Sequence, residues 1–221
     1  MEKTYLIIPA YNEGERLKQT LALTRKYQPN LSIVVIDDGS TKPIPKDIKK
    51  GVTVIRHRIN LGKGAALKTG IEFAIKQGAD NFILMDSDLQ HDPKHLPEII
   101  EKLNQGYDIV FTRRDFGLQT PLIRFLGNKF SSIYMRLFFG IYIADIPCGF
   151  RAFNKKAYEL IKWNSSRYGV ETEMVARLGK HQDKLKHTTV PIKAIYIDKY
   201  KGFTPIEAVK ILLNSIWWKF N

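Results

Sequence analysis

Between Thr4 and Arg113 short apolar runs alternate with longer stretches in which apolar residues recur every three or four positions. Runs of four to eight residues rich in Val and Ile read as strands covered on both faces, and the 3.6-residue period reads as amphipathic helix. The pattern predicts strands at "TYLIIPA" (4–10), "SIVVIDD" (32–38), "VTVIR" (52–56), "NFILMD" (81–86) and "DIVFTR" (108–113), with helices over 13–27, 63–78 and 93–104. Pro93 suits a first helical turn, where its missing N–H loses no bond. Such alternation implies an α/β fold with a Rossmann-like, mostly parallel central sheet flanked by helices. Ligands on these sheets collect at the C-terminal ends of the strands. That rule lines up Pro9–Glu13, Asp37–Ser40, Arg56–Asn60, Asp86–Gln90 and Arg113–Arg114 along one rim.

After Arg114 the texture changes. In "TPLIRFLGNKFSSIYMRLFFGIYIAD" the residues Leu122, Phe125, Leu126, Phe130, Ile133 and Leu137 fall at helical spacing, interrupted by Arg124, Lys129 and Arg136. A buried helix and an amphipathic helix lying at a membrane interface both fit this spacing. "CGFRAFNKKAYELI" predicts a strand and a helix, and "YGVETEMVARLGKH" a further helix. "LKHTTVPIKAIYI" predicts a strand pair broken by Pro191, and "TPIEAVKILLNSIWWKF" a C-terminal amphipathic helix ending in Trp217, Trp218 and Lys219. With no repeat or linker in view, residues 1–221 read as one domain whose texture changes between 1–114 and 115–221.

At 221 residues and 44% apolar composition the chain can bury a core of its own. Cys148 is the single cysteine, which excludes an intrachain disulfide and fits a reducing compartment. "MEKTYLIIPAYNE" lacks the pattern of a signal peptide, and the apolar run Leu137–Ala144 is too short to span a bilayer, so the expectation is a cytoplasmic protein. Charge refines that expectation. Residues 1–112 carry 16 Lys and Arg against 14 Asp and Glu, whereas residues 113–221 carry 19 against 8. The second half therefore suits an anionic partner, a phosphate group or an acidic membrane surface. Nucleic acid is disfavoured, since no recognition motif accompanies the charge and a carboxylate rim repels a polyanion.

The carboxylates of that rim carry the first chemical signal. On a strand running to Asp86, Asp86 and Asp88 would point the same way, and two such charges call for a cation between them. Oxygen ligands suit Mg2+ or Mn2+, completed by substrate phosphates, with Gln90 near the same ion. A zinc site at His91 and His95 is disfavoured by the intervening Pro93. Asp37 and Asp38 in "DDGS" can accept from a base or ribose, or simply build a turn. "NLGKGAALKTG" sets Gly62, Lys63 and Gly64 at a helix N-terminus suited to an anion, without P-loop spacing.

Taken in order, "IPAYNE", "VVIDDGS", "NLGKGAALKTG", "ILMDSDLQHDP", "TR" and "DIPCGFRAF" resemble the inverting family 2 glycosyltransferases of the GT-A fold. Among these the chain is most similar to the dolichyl- and polyprenyl-phosphate sugar transferases. The resemblance implies that Pro9, Tyr11, Glu13, Asp37, Asp38 and Lys63 bind the nucleotide of a GDP- or UDP-sugar. It implies that Asp86 and Asp88, with Gln90, hold Mg2+ or Mn2+ against the diphosphate, and that Arg113 lies near the diphosphate or acceptor phosphate. Asp145, Gly149 and Arg151 match an acceptor-side motif, and Glu171 or Glu173 falls where relatives carry an acid near the reaction centre; Asp145, Glu171 and Glu173 are the candidates for a base. The implied acceptor is a polyprenyl or dolichyl phosphate, with a soluble or cell-surface glycan hydroxyl as the alternative. Many such relatives continue into transmembrane helices. A chain stopping at Asn221 is expected to sit peripherally on a cytoplasmic membrane face through the 120–144 region and "SIWWKF". The tail "YIDKYKGFTP" departs from the commoner pattern of the mannose enzymes, which leaves the donor sugar open.

Overall fold

The computed structural model describes residues 2–45, 48, 51–115, 122–167, 169–195 and 214–219. Strand β1 (Thr4–Ala10) is the spine of the first half, pairing in parallel with β2 (Ser32–Asp37) on one side and β4 (Asn81–Leu84) on the other. β3 (Thr53–Arg56) continues the sheet beyond β2, and β5 (Ile109–Asp115), β6 (Arg151–Asn154) and β7 (His187–Lys193) extend it beyond β4. The order is β3-β2-β1-β4-β6-β5-β7, with β6 alone antiparallel to its neighbours, so the two halves of the chain share one sheet.

Side-chain alternation divides the core into two layers, as a period of two requires. Leu6, Ile8, Ile33, Val35 and Ile83 face α1 (Gly14–Tyr27) and α3 (Leu96–Asn104), the latter entered through a 3₁₀ turn at Pro93–His95. Ile7, Val34, Ile36, Phe82 and Leu84 face α2 (Lys63–Lys76), α5 (Lys155–Ile161) and α6 (Val170–Gly179). The small-residue face of α2 has a packing cause. A Cβ on Gly70 would stand 2.5 Å from Ile7 Cγ2, so the helix reaches the sheet only with glycine there.

Two expectations are corrected and one open choice is narrowed. β4 ends at Leu84, two residues early, so Asp86 and Asp88 lie on the loop beyond it and not on one side of a strand. "LKHTTVPIK" forms a single strand, not a pair, because β7 is a sheet edge whose partner is β5 and the exposed Pro191 has no ladder bond to lose there. α4 (Leu122–Phe139) is not simply a buried helix. It buries Asn128, Ser132, Met135 and Phe139 and turns Leu126, Phe130, Ile133 and Leu137 outward. Residues 214–219 are helical against it, where Tyr134 Oη lies 2.7 Å from Ser215 Oγ and Trp218 is buried in the core. Residues 204–213 and 220 of the expected C-terminal helix lie outside the described residues, as does "YIDKYKGFTP". Among the described residues no helix is long and apolar enough to cross a membrane.

Candidate active site

β1 connects toward β2 on one side and the chain returns through β4 on the other, so a crevice opens beyond the C-terminal ends of these two strands. The loops after β1, β2 and β4 are bolted together there. Asn12, at φ 58, takes the left-handed conformation that Asn tolerates better than most residues. Its N–H donates to Ser40 Oγ (3.0 Å), and its Oδ1 accepts from Thr41 N (2.9 Å) and Thr41 Oγ1 (2.8 Å). Ser87, between the two aspartates, donates from Oγ to the Pro9 carbonyl at 2.9 Å. A cleft of about 320 Å3 lies on this side, lined by residues that include Asn12, Glu13, Ser40, Thr41 and Lys42. Tyr11 stands 46% exposed on the same loop.

Both carboxylates of "DDGS" are engaged and buried. Asp37 accepts from Ser40 N and from the Arg56 guanidinium. Asp38 meets His57 Nδ1 at 2.7 Å and accepts from Leu61 N and Gly62 N, which shapes the entry to α2.

The cation expected between Asp86 and Asp88 is in part supplied by the chain itself. Lys63, the first residue of α2, places Nζ 2.6 Å from Asp86 Oδ1 and 2.7 Å from Glu171 Oε1. His91 Nε2 lies 3.3 Å from the other Asp86 oxygen. Burial works against ionisation of Asp86, but Lys63 and His91 outweigh it and hold its carboxyl well below the usual range. Burial likewise opposes the Lys63 ammonium, and Asp86 and Glu171 more than offset it, lifting the lysine above its ordinary value. Asp88 behaves oppositely: burial, then the charge of Asp86, pushes its carboxyl up. Its partner is Gln90, which donates from N and Nε2, both at 3.0 Å, across Leu89 at φ 66. Gly149 closes over this cluster, and a Cβ there would lie 2.6 Å from Lys63 Nζ and nearer still to Asp86 Oδ2.

The second half contributes supports more than free groups. Asp145 is buried and accepts from Arg114 N, Nε and Nη2 and from Asn128 Nδ2. Glu173 is 0% exposed and accepts from Asn164 N, Ser165 N, Ser165 Oγ and the Arg177 guanidinium. It thereby fixes the 163–167 loop, whose Ser165 and Ser166 leave no space for a Cβ on Gly64 or Gly62 and whose Trp163 donates to the Gly64 carbonyl at 2.9 Å. Arg151 lies beneath the site, not in it: burial lowers its pKa, and it donates to the carbonyls of Ile146, Cys148 and Glu171. Arg113, by contrast, is half exposed near the end of β5 and leans toward Asp115 at 3.7 Å. Of the sequence-predicted residues, Lys63, Asp86, Asp88 and Gln90 come together, Tyr11 and Glu13 stand on the β1 loop with Glu13 lining the neighbouring cleft, and Glu171 joins the cluster where Glu173 does not. Ser87, Asn12 and His91 have supporting roles that spacing alone did not reveal.

The residues present fit a divalent cation. Asp86 and Glu171 face one ammonium, and Asp88, two positions along the same loop, is met by the neutral Gln90 amides. Among the described residues no three His, Cys, Asp or Glu side chains converge as a complete cage. A hard ion held by one or two carboxylates with its shell finished by substrate phosphates needs no such cage.

Comparison with known proteins agrees with this arrangement. The sequence model described as Glycosyl transferase family 2 matches residues 5–161. An uncharacterized protein of Methanocaldococcus jannaschii is 35% identical over 99% of this chain and 93% of its own length. A UDP-N-acetylglucosamine--dolichyl-phosphate N-acetylglucosaminyltransferase of Methanococcus voltae is 31% identical over 88% of this chain and 86% of its own. An undecaprenyl-phosphate mannosyltransferase of Micrococcus luteus is 31% identical over 79% and 78%. Among solved structures, glucosyl-3-phosphoglycerate synthase from Mycobacterium tuberculosis, in complex with Mn2+, uridine diphosphate and phosphoglyceric acid, superposes with a TM-score of 0.75 at 15% identity, over 99% of this chain and 78% of that one. That likeness shows a shared GT-A-like sheet. With the family model covering most of the sheet and the Asp-x-Asp loop at its switch point, the chain belongs to glycosyl transferase family 2.

Proposed function

We propose that this glycosyltransferase moves a sugar, with inversion, from a GDP- or UDP-sugar to a polyprenyl or dolichyl phosphate at an anionic membrane surface, with Mg2+ or Mn2+ bound. The observation that carries the choice of acceptor is the state of the candidate bases. Asp145 and Glu173 are saturated by donors and Glu171 is paired with Lys63. A hydroxyl acceptor needs a group to take its proton, whereas a phosphate oxygen arrives already anionic. The lipid-phosphate substrates in the names of the relatives from M. voltae and M. luteus support the same reading.

In this scheme Asp88 and Asp86, with Gln90 orienting Asp88, would hold the ion, which would supply charge stabilisation to a departing nucleoside diphosphate. The Mn2+ and uridine diphosphate bound by the solved neighbour support a divalent ion for the fold. Pro9, Tyr11, Glu13, Asp37 and Asp38 belong to the loops that would frame the nucleotide, with the Asn12 and Ser87 bonds fixing their spacing in advance. Arg113 holds a half-exposed guanidinium on the rim, 3.7 Å from the exposed Asp115, suited to the acceptor or leaving phosphate. Asp145 and Arg151 act at one remove, through Arg114 and through the backbone of 146–148. The outward apolar stripe of α4, with Lys129 and Arg136 beside it and Trp217 next to it in the fold, supports an acidic bilayer as the place where the lipid is met.

The test is transfer from labelled GDP- and UDP-sugars to polyprenyl phosphate, with and without Mn2+, for the wild type and Asp88→Ala. Metal-dependent transfer to the lipid that falls by about 10²-fold or more in the variant is expected. Turnover of a sugar nucleotide without lipid glycosylation, or transfer to a glycan hydroxyl instead, would overturn the acceptor assignment.

A further inference from the structure

The Lys63 ammonium occupies the same carboxylate that the metal reading requires. Both Asp86 oxygens are engaged by the chain's own groups, Oδ1 by Lys63 at 2.6 Å and Oδ2 by His91 at 3.3 Å. Lys63 has a second carboxylate within the same reach, Glu171 at 2.7 Å, and Lys63 is the partner the structure gives that side chain. Glu171 is well placed to hold a cation unaided. It sits in the first turn of α6, and its main-chain carbonyl accepts from the buried Arg151 at 3.3 Å. Gly149 presents no side chain to the ammonium or to Asp86, where a Cβ would stand 2.6 Å from Nζ.

We propose that Lys63 and the divalent ion are alternative partners of Asp86, and that Glu171 is the acid to which Lys63 withdraws when the ion is bound. This rests on the metal reading above. A tethered ammonium is always present at high local concentration. It therefore keeps Asp86 oriented in the free enzyme and weakens ion binding until a second acid relieves it. Coulomb attraction between fixed groups at these separations is strong enough to make the competition matter, because the site is partly shielded from water. Glu171 is thus a positioning residue acting through Lys63, and no proton or bond changes hands in the exchange.

The two halves of the device predict shifts of opposite sign in a measurement that does not use turnover. Free Mn2+ is titrated by electron paramagnetic resonance against the intact protein, with and without UDP or GDP, and fold is checked by circular dichroism. Lys63→Met removes the competitor, and we expect Mn2+ binding about tenfold tighter than wild type. Glu171→Gln removes the alternative partner and leaves Lys63 on Asp86, and we expect binding about tenfold weaker. In the Lys63→Met background Glu171→Gln is expected to have almost no further effect, which a general structural role for Glu171 would not produce. Equal or weaker binding in Lys63→Met, or an undiminished Glu171→Gln effect in that background, overturns the competition. Should Lys63→Met fail to fold, Glu171→Gln decides alone, and unchanged or tighter binding there overturns the proposal. Asp88→Ala separates the two levels. Wild-type Mn2+ binding that is absent, or that persists fully in Asp88→Ala, defeats the metal reading and this proposal with it, whereas binding lost in Asp88→Ala but unmoved by Lys63→Met defeats this proposal alone.

Discussion

Gly149, in the second half of the chain, lies against Asp86 and Lys63. Its backbone takes no positive φ, so the need for glycine there comes from space and not from conformation. A methyl group at this position would meet the ends of the Lys63 and Asp86 side chains, both able to swing away, and would not strike a rigid backbone. Gly149→Ala should therefore still fold, at a cost of about 1–2 kcal/mol for overpacking a buried position whose neighbours are movable side-chain ends. Transfer should nonetheless fall by about 10²-fold, because a displacement of about 1 Å in a reacting constellation costs that much. Urea unfolding and steady-state transfer on the same preparation check both halves; equal activity would show that the cluster tolerates displacement. The sequence named Lys63, Asp86 and Asp88 because residue type and place on the rim were both visible. It did not show that Asp86 pairs with Lys63, nor that Glu171 and not Glu173 joins them. That choice depends on the phase of α6 against α2, and the two acids are only two positions apart on the helix.

Among the elements, α4 departs furthest from what soluble packing rewards. Its inward stripe holds Asn128 and Ser132, and its outward stripe holds Leu126, Phe130, Ile133 and Leu137, the last 76% exposed. Ser132 Oγ donates to the carbonyls of Asn128 and Ile143, and Asn128 Nδ2 donates to Ala144 O and Asp145, so the inner polar groups serve the site's framework. The helix carries Arg124, Lys129 and Arg136 and no acid. The sequence allowed two orientations, because apolar residues occur on more than one face and periodicity alone does not say which of them meets the core. Leu126→Glu with Leu137→Glu should leave the melting temperature near that of wild type, since both side chains are exposed. Partitioning onto vesicles containing anionic lipid should drop about a hundredfold, from about 3 kcal/mol of lost apolar burial. Sedimentation with the vesicles measures it, and undiminished binding would remove α4 from the membrane reading. β1, β2 and β4 were legible to within two residues because buried strands with parallel neighbours write continuous apolar runs. β7 was misread because a proline inside a strand signals a break unless the strand is known to be an edge, and edge position is a property of the whole sheet.

For the whole molecule, the second half must be held to the first for the site to exist, and much of that join passes through Asp108. It lies at the foot of β5, where its Oδ1 accepts from Asn154 Nδ2 at 2.9 Å and its Oδ2 from Lys186 N at 2.8 Å, with Lys156 Nζ 3.3 Å away. One carboxylate thus ties β5 to the junction of β6 with α5 and to the residue that precedes β7. Burial opposes its ionisation, but the Asn154 amide, the Lys186 N–H and the Lys156 ammonium outweigh burial and hold the carboxyl below the usual range. A group with a depressed folded pKa takes up its proton less readily in the folded than in the unfolded chain. The stability it contributes is therefore complete above its unfolded value of about 4 and is lost as the pH falls through the folded value. Asp108→Asn should cost about 2 kcal/mol at pH 7, the loss expected when charge-assisted bonds to a buried acceptor are broken. The difference from wild type should stay flat down to about pH 5 and shrink below about pH 4. Urea unfolding at pH 7, 5 and 3.5 measures it. A deficit that persists at pH 3.5 would assign the effect to packing; one that closes would show that the carboxylate charge itself ties β5, which carries Arg113 at its far end, to the end of β6 and the approach to β7.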